Sequence, residues 1–180
     1  MKISPQDKKD LLIEALSYIQ RFRNQIIVIK YGGAAMIEEA LKTSFAQDIV
    51  LLQSLGMRPV VVHGGGPEVS KVIQSLGQEV TFVDGLRVTT AENLKVAEMV
   101  LSGNLNKEII AHLQTFGGKA VGLSGKDGNL IQADKKKHAS GIDLGYVGTI
   151  RQINPELLHL LIREQFIPVV SPIGMGSSGE

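Results

Sequence analysis

VVVHGGGPEV, residues 60–69, runs a β-branched stretch into three consecutive glycines and then a proline suited to the first turn of a helix. Backbone without side chains at the end of a buried strand implies that something must approach the main chain closely there. The same design occurs upstream, where IIVIKYGG, residues 26–33, ends another apolar run in glycines ahead of a segment with helical periodicity to Leu55. Two successive strand–glycine–helix units predict parallel pairing. In an open parallel sheet, ligands bind beyond the carboxyl ends of the strands, where helix N-termini offer free N–H donors to an anion.

Working outward, Leu11, Leu12, Ala15, Leu16, Ile19 and Phe22 recur at spacings of three and four, which predicts an amphipathic helix over residues 6–22, packed either on its own domain or on another subunit. Residues 1–24 are read as this N-terminal helical segment and 25–180 as the domain proper. VTFVDGLRVT predicts a hairpin around Asp84-Gly85. Thr90 caps an expected helix from Ala91 to about Ser102, with a second from Leu105 to Phe116. KAVGLSG and FIPVVSPIG read as a third and fourth core strand, GNLIQADK and GYVGTIRQI as hairpin strands, and Asn154 as the cap of a helix to Glu164. The expected class is α/β, a three-layer αβα sandwich with a mainly parallel central sheet and a β-hairpin insert.

Composition narrows the function. Hydrophobic residues make up 43% and charged residues 21% of the 180, as in an ordinary globular domain. The net charge of +1 provides no global field for nucleic acid or an anionic membrane, and Lys135-Lys136-Lys137 reads as a solvated loop tip. The absence of cysteine excludes disulfides, thiolate metal sites and a cysteine nucleophile. MKISPQDKKDLLIEAL is too charged for a signal peptide and no apolar run reaches membrane-spanning length, so a cytoplasmic protein is expected.

Standard nucleotide fingerprints fail. A dinucleotide-binding G-x-G-x-x-G would need glycine at Val69, and a Walker loop around GGKA would need glycine at Leu113 and Ser or Thr at Ala120. His63, His112, His138 and His159 show no metal-ligand spacing, and no metal site is expected. Lys30 stands out because it closes an apolar strand immediately before Gly32-Gly33, where a cation aimed at phosphate is a better reading than a snorkelling lysine. Arg87 gains weight if its hairpin folds over the second glycine loop, since its planar fork matches a carboxylate. Lys126 and Asp127, in LSGKDG, read chiefly as turn punctuation.

VIKYGGAAM, VVVHGGGPEV, DGLRVT, VGLSGKDGNLI, DLGYVGTI and IPVVSPIG together resemble the amino acid kinase family, and GLRVT with SGKDG resembles the branch whose acceptor is N-acetyl-L-glutamate. The resemblance implies transfer of the γ-phosphoryl of ATP, with Mg2+ carried on the nucleotide, to the side-chain carboxylate of N-acetyl-L-glutamate in arginine biosynthesis. It further implies that Lys30 stabilises the transition state, that Gly32 and Gly33 meet the transferred phosphoryl, that Gly65 and Gly66 hold the acceptor, and that Arg87 clamps its α-carboxylate. The family pattern continues beyond PIGxG with Asn-x-Asn-Ala-Asp and a nucleotide-binding half. The chain is therefore expected to resemble the N-terminal, acceptor-binding part and not to turn over ATP alone. ALSYIQRFRNQ resembles the N-terminal helix of arginine-sensitive members, which implies a homo-oligomer (a dimer, or a hexamer through that helix) with Tyr18 near an arginine effector site.

Two other readings compete. One is an amino acid kinase acting on aspartate, glutamate, carbamate or uridylate, which shares the lysine-plus-glycine loops. The other is a non-catalytic regulatory or assembly module. A dinucleotide-dependent oxidoreductase ranks third because the glycine fingerprint is wrong.

Overall fold

The computed structural model describes residues 4–180. Met1–Ile3, the start of the segment assigned to the N-terminal helix, lie outside the described residues. Four parallel strands form the central sheet: β1 (Ile26–Tyr31), β2 (Arg58–His63), β5 (Ala120–Ser124) and β8 (Ile167–Ser171), in the order β1-β2-β8-β5. Two antiparallel ribbons stand apart from it, β3 (Phe82–Val83) with β4 (Leu86–Arg87) and β6 (Ile131–Lys135) with β7 (Gly148–Ile153). The α/β class, the parallel sheet and the hairpin insert are as the sequence predicts.

Alternation of side chains across the strands sorts the apolar residues into two layers. Helices α2 (Glu39–Ser54) and α5 (Asn106–Thr115) cover one face, where Ile49, Leu113, Val61, Val169 and Ile167 are wholly buried around Tyr31 and Ala46. Each such side chain contributes about 1.5–3 kcal/mol relative to exposure. On the other face Leu157, Leu158, Leu161 and Ile162 of α6 (Glu156–Arg163) pack with Val60, Val170 and Leu123. Pro155, not the expected Asn154, occupies the cap position of this helix, and Asn154 lies one residue further out with its Oδ1 accepting the Glu156 N–H at 3.3 Å.

Three further expectations are corrected. β1 was expected to be a buried core strand, yet it is the edge of the sheet among the described residues. Its face bearing Ile29 and Tyr31 packs on the first core, while α6 does not extend over the opposite face, leaving Ile26 and Val28 exposed. The two helices expected on either side of Gly103 form one continuous rod: α4 (Ala91–Glu98), a seven-residue π segment over Met99–Leu105, and α5. Ser102-Gly103-Asn104 widens the turn instead of ending it.

The third correction concerns the first glycine loop. Gly33–Met36 form a 3-10 turn, and α2 begins only at Glu39 with no side-chain cap from Glu38. No helix N-terminus therefore backs Gly32-Gly33 directly. By contrast, α3 (Gly66–Ser75) begins within the second loop, with Pro67 in its first turn as predicted.

The N-terminal helix α1 (Pro5–Phe22) has a capping box, Ser4 Oγ accepting from the Asp7 N–H at 3.1 Å while the Asp7 carboxylate accepts from the Ser4 N–H at 3.2 Å. None of its residues is buried; Leu12, Leu16, Tyr18 and Phe22 are exposed. No helix among the described residues is long and apolar enough to cross a membrane.

Candidate functional site

Parallel pairing places both glycine loops side by side. Lys30 is in register with Val62 and Tyr31 with His63, and the Gly64 N–H donates to the Tyr31 carbonyl at 2.9 Å. The two chains thus leave the same end of adjacent strands, the carboxyl end where ligands of such sheets bind.

The first loop is open. A Cβ on Gly32 or Gly33 would meet no heavy atom within 4 Å, and Gly33 adopts φ +68°, a left-handed conformation that glycine enters without steric cost. Tyr31 anchors the loop from below, its hydroxyl donating to the Ala35 carbonyl at 2.8 Å and its ring stacked on Phe45 with centroids 3.8 Å apart. Burial pushes the Tyr31 hydroxyl above its ordinary pKa. Lys30 lies on the exposed side of β1, and no hydrogen bond or ion pair among the described residues engages its ammonium. A cation with no protein partner beside open backbone can serve an anion that comes from outside.

The second loop is gripped. Gly65 adopts φ +145°, and a Cβ there would collide with Leu105 Cδ1 and lie 2.8 Å from Leu101 Cδ2. Both leucines come from the π segment. Gly66 is different: its φ is ordinary and a Cβ would meet nothing within 4 Å, so the space over it is available to a ligand. Arg87 folds over this loop from the β3–β4 hairpin, whose turn uses left-handed Asp84 and Gly85, at φ +48° and +76°. Its Nη2 donates to the Gly66 carbonyl at 2.8 Å and to Ser70 Oγ at 2.7 Å, and the guanidinium sits 4.7 Å over the Phe82 ring. Arg87 Nη1 is buried with no partner among the described residues. Desolvation lowers the Arg87 pKa, as expected of a cation held in a partly dry site. An unpaired buried donor costs about 1–3 kcal/mol, a cost that a carboxylate oxygen would remove.

Sequence reasoning did not single out His63 and Asn106 as functional. His63 is buried at the end of β2, with Nδ1 2.8 Å from the Gly64 carbonyl and Nε2 3.2 Å from Asn106 Nδ2. Burial holds its pKa below 6.5 and so favours the neutral ring. The only local signal was a histidine closing an otherwise apolar strand. Ser70, which shares Arg87 with Gly66, was signalled only by its position one helical turn on.

Other candidates have structural partners. Asp127 Oδ2 accepts from the Ser124 N–H at 2.6 Å and closes the SGKDG turn, while Lys126 pairs with Glu98 of α4 at 3.0 Å. Lys135 pairs with Asp143 at 2.9 Å in the exposed β6–β7 region. No group of three His, Cys, Asp or Glu residues among those described could hold a metal ion.

Comparison with known proteins identifies the family. The acetylglutamate kinase of Moorella thermoacetica is 49% identical over 187 aligned positions, which take in 100% of this chain and 63% of that protein. The acetylglutamate kinase of Desulfitobacterium hafniense is 53% identical over 182 positions, covering 97% of this chain and 61% of its own length. The chain thus spans a little over three fifths of the curated relatives it matches. Among solved structures, the N-acetylglutamate synthase of Neisseria gonorrhoeae, complexed with coenzyme A and N-acetyl-glutamate, superposes with a TM-score of 0.78 at 26% identity over 94% of this chain and 38% of that one. The amino acid kinase family model matches residues 25–180, which include the whole sheet and both glycine loops and leave out α1. A parallel sheet with paired glycine loops, matched over that whole span, means that the chain belongs to the amino acid kinase family.

Proposed function

We propose that this chain forms the acceptor side of an acetylglutamate kinase, the enzyme that phosphorylates the side-chain carboxylate of N-acetyl-L-glutamate in arginine biosynthesis. The observation that carries this reading is the cradle made by Gly66, Ser70 and Arg87. Its backbone is open to a ligand, and its guanidinium keeps Nη1 buried without a partner among the described residues. An acidic acceptor supplies the missing carboxylate. The acetylglutamate kinases at about half identity and the acetylglutamate-bound synthase support the choice of acid.

In this reading Arg87 holds the α-carboxylate, Gly65 and Gly66 line the acceptor, and Gly32 and Gly33 offer backbone N–H groups to the phosphoryl. Lys30 stabilises negative charge as it builds on the phosphoryl oxygens. When bound, ATP supplies the γ-phosphoryl group, with Mg2+ carried on its phosphates. An oxygen of the acceptor carboxylate attacks phosphorus, the bond to the bridging oxygen breaks with its electron pair leaving on ADP, and an acyl phosphate results. Alignment of two anions and positive charge is most of what such a transfer asks of the protein. Lys30 and the open space over Gly32 and Gly33 suit a phosphoryl group, whereas no residue described here is assigned to the nucleotide base. The cytoplasm, where ATP and acetylglutamate meet, is the compartment in this reading.

The test is calorimetric titration of the chain with N-acetyl-L-glutamate, L-glutamate and L-aspartate. Binding of the acetylated acid with little binding of the others is expected, and Arg87→Ala should weaken it roughly 10- to 150-fold, the range of one charge-assisted hydrogen bond. Equal affinity for glutamate or aspartate would favour another member of the family.

The exposed apolar residues of α1 belong to the same proposal as a contact between copies of the chain, assembling a homo-oligomer with Tyr18 near an arginine site. Removal of residues 1–22 should then lower the number of copies per particle in sedimentation and, in an enzyme that also carries the nucleotide-binding half, abolish the response to arginine. An unchanged number of copies rejects this assembly.

A further inference from the structure

The strained second loop needs something to hold it, and the rod formed by α4, the π segment and α5 runs directly beneath it. In a continuous α-helix, side chains three and four apart share a face. The π segment adds room in the turn and alters that phase. Leu101 and Leu105 press on Gly65, Ser102 Oγ lies 2.7 Å from Ser171 Oγ at the end of β8, and Asn106 is carried wholly into the interior.

Asn106 binds several elements at once. Its Nδ2 donates to the Val169 carbonyl of β8 at 2.9 Å and faces His63 Nε2 at 3.2 Å, while its Oδ1 accepts from Lys107 Nζ at 3.2 Å. A side chain at Gly122 of β5 would collide with that same Oδ1, so the neighbouring strand has been left bare to admit the amide. An amide nitrogen has only hydrogens to offer, so Asn106 Nδ2 makes Nε2 of His63 the acceptor, and the ring proton must sit on Nδ1. From there it donates to the Gly64 carbonyl at 2.8 Å. The imidazole therefore fixes the peptide that leads into Gly65 and Gly66.

We propose that Asn106 is a positioning residue for the acceptor: presented by the π segment, it sets the His63 tautomer, which orients the Gly64 carbonyl and with it the Gly65–Gly66 cradle. This rests on the reading of that cradle as the N-acetyl-L-glutamate site. Asn106 does not touch the acceptor; it acts through His63.

Two measurements test it. Nitrogen-15 NMR of the unmodified chain should show the His63 ring as the Nδ1–H tautomer at neutral pH. The opposite tautomer overturns the proposal without any variant having to fold. Asn106→Ala should then mix the two tautomers and weaken N-acetyl-L-glutamate binding by about tenfold, the loss of roughly one hydrogen bond. Leu113→Ala, which empties the same core without touching His63, controls for stability alone; it should lower the melting temperature yet keep the tautomer and the affinity. If Asn106→Ala binds as the unmodified chain does, or Leu113→Ala weakens binding equally, Asn106 is a structural residue only. If the unmodified chain binds no N-acetyl-L-glutamate, the acceptor reading fails, whereas the tautomer result still reports on Asn106.

Discussion

The two glycine loops look alike in sequence and are held in opposite ways. Gly32-Gly33 follow an edge strand, pass into a short 3-10 turn and are steadied mainly by Tyr31. Gly64-Gly65-Gly66 follow an inner strand and are fixed by His63 of that strand, by Arg87 of the hairpin and by Leu101 and Leu105 of the π segment. A loop that holds an acceptor of fixed shape gains from rigidity before binding. A loop that meets a phosphoryl in transfer needs open backbone and nearby positive charge more than packing. The glycines differ accordingly: Gly65 is required by the fold, whereas Gly32 and Gly66 are not.

Gly65→Ala breaks this comparison most severely. The new methyl meets two leucines in a backbone conformation that L-residues rarely adopt. A loss of about 3 kcal/mol or more in urea unfolding is expected, combining backbone strain and overpacking. Relief of much of that loss by adding Leu105→Ala would show that the π segment, rather than φ alone, imposes the glycine.

His63 gives the gripped loop an acid sensitivity that the open loop lacks. Its folded pKa is depressed below 6.5, so below that value the unfolded chain takes up a proton that the folded ring refuses. The stability His63 contributes is present above pH 6.5 and falls as the pH drops toward its folded value. His63→Phe should flatten that part of the stability–pH curve, and an unchanged slope between pH 7 and pH 5 would assign the acid loss to other groups.

The first loop yields smaller effects. Tyr31→Phe removes the hydroxyl bond to Ala35 but keeps the stack on Phe45, and should cost about 1 kcal/mol. Gly33→Ala should cost a similar 1–2 kcal/mol from its left-handed φ alone, since nothing obstructs the methyl. A cost for Gly33→Ala as large as that for Gly65→Ala would erase the distinction between the loops.

Sequence made the repeated strand–glycine design legible because β-branched runs and glycines act locally. Pro67, Thr90 and the Asp84-Gly85 turn were readable for the same reason. What stayed hidden depends on partners distant in the chain. An apolar run cannot say whether a helix will cover both its faces, so IIVIKY looked like an inner strand although Ile26 and Val28 are exposed. Gly103 suggested a helix break because its propensity is poor, but burial of Val100 and Leu105 carries the helix through in π form. Asn106 reads as an ordinary polar helix residue until Gly122, 16 positions on, is seen to leave room for it. Arg87 was legible as a candidate, but its carbonyl partner in the cradle was not.

The smallest effect on the fold should come from Gly66, and it discriminates most sharply between fold and function. Apart from its chain neighbours, a methyl at residue 66 meets nothing within 4 Å among the described residues and requires no positive φ, so only Pro67, next in the first turn of α3, crowds it. Gly66→Ala should therefore change unfolding by no more than about 1 kcal/mol. The same methyl enters the space beside the Gly66 carbonyl that Arg87 grips, where the acceptor is proposed to lie. A variant with unaltered stability and strongly weakened N-acetyl-L-glutamate binding would show that glycine stands at residue 66 for the ligand. If stability and binding both survive, the acceptor does not approach that backbone, and the close contact must move to Gly32 and Gly33, where the same substitution meets equally open space.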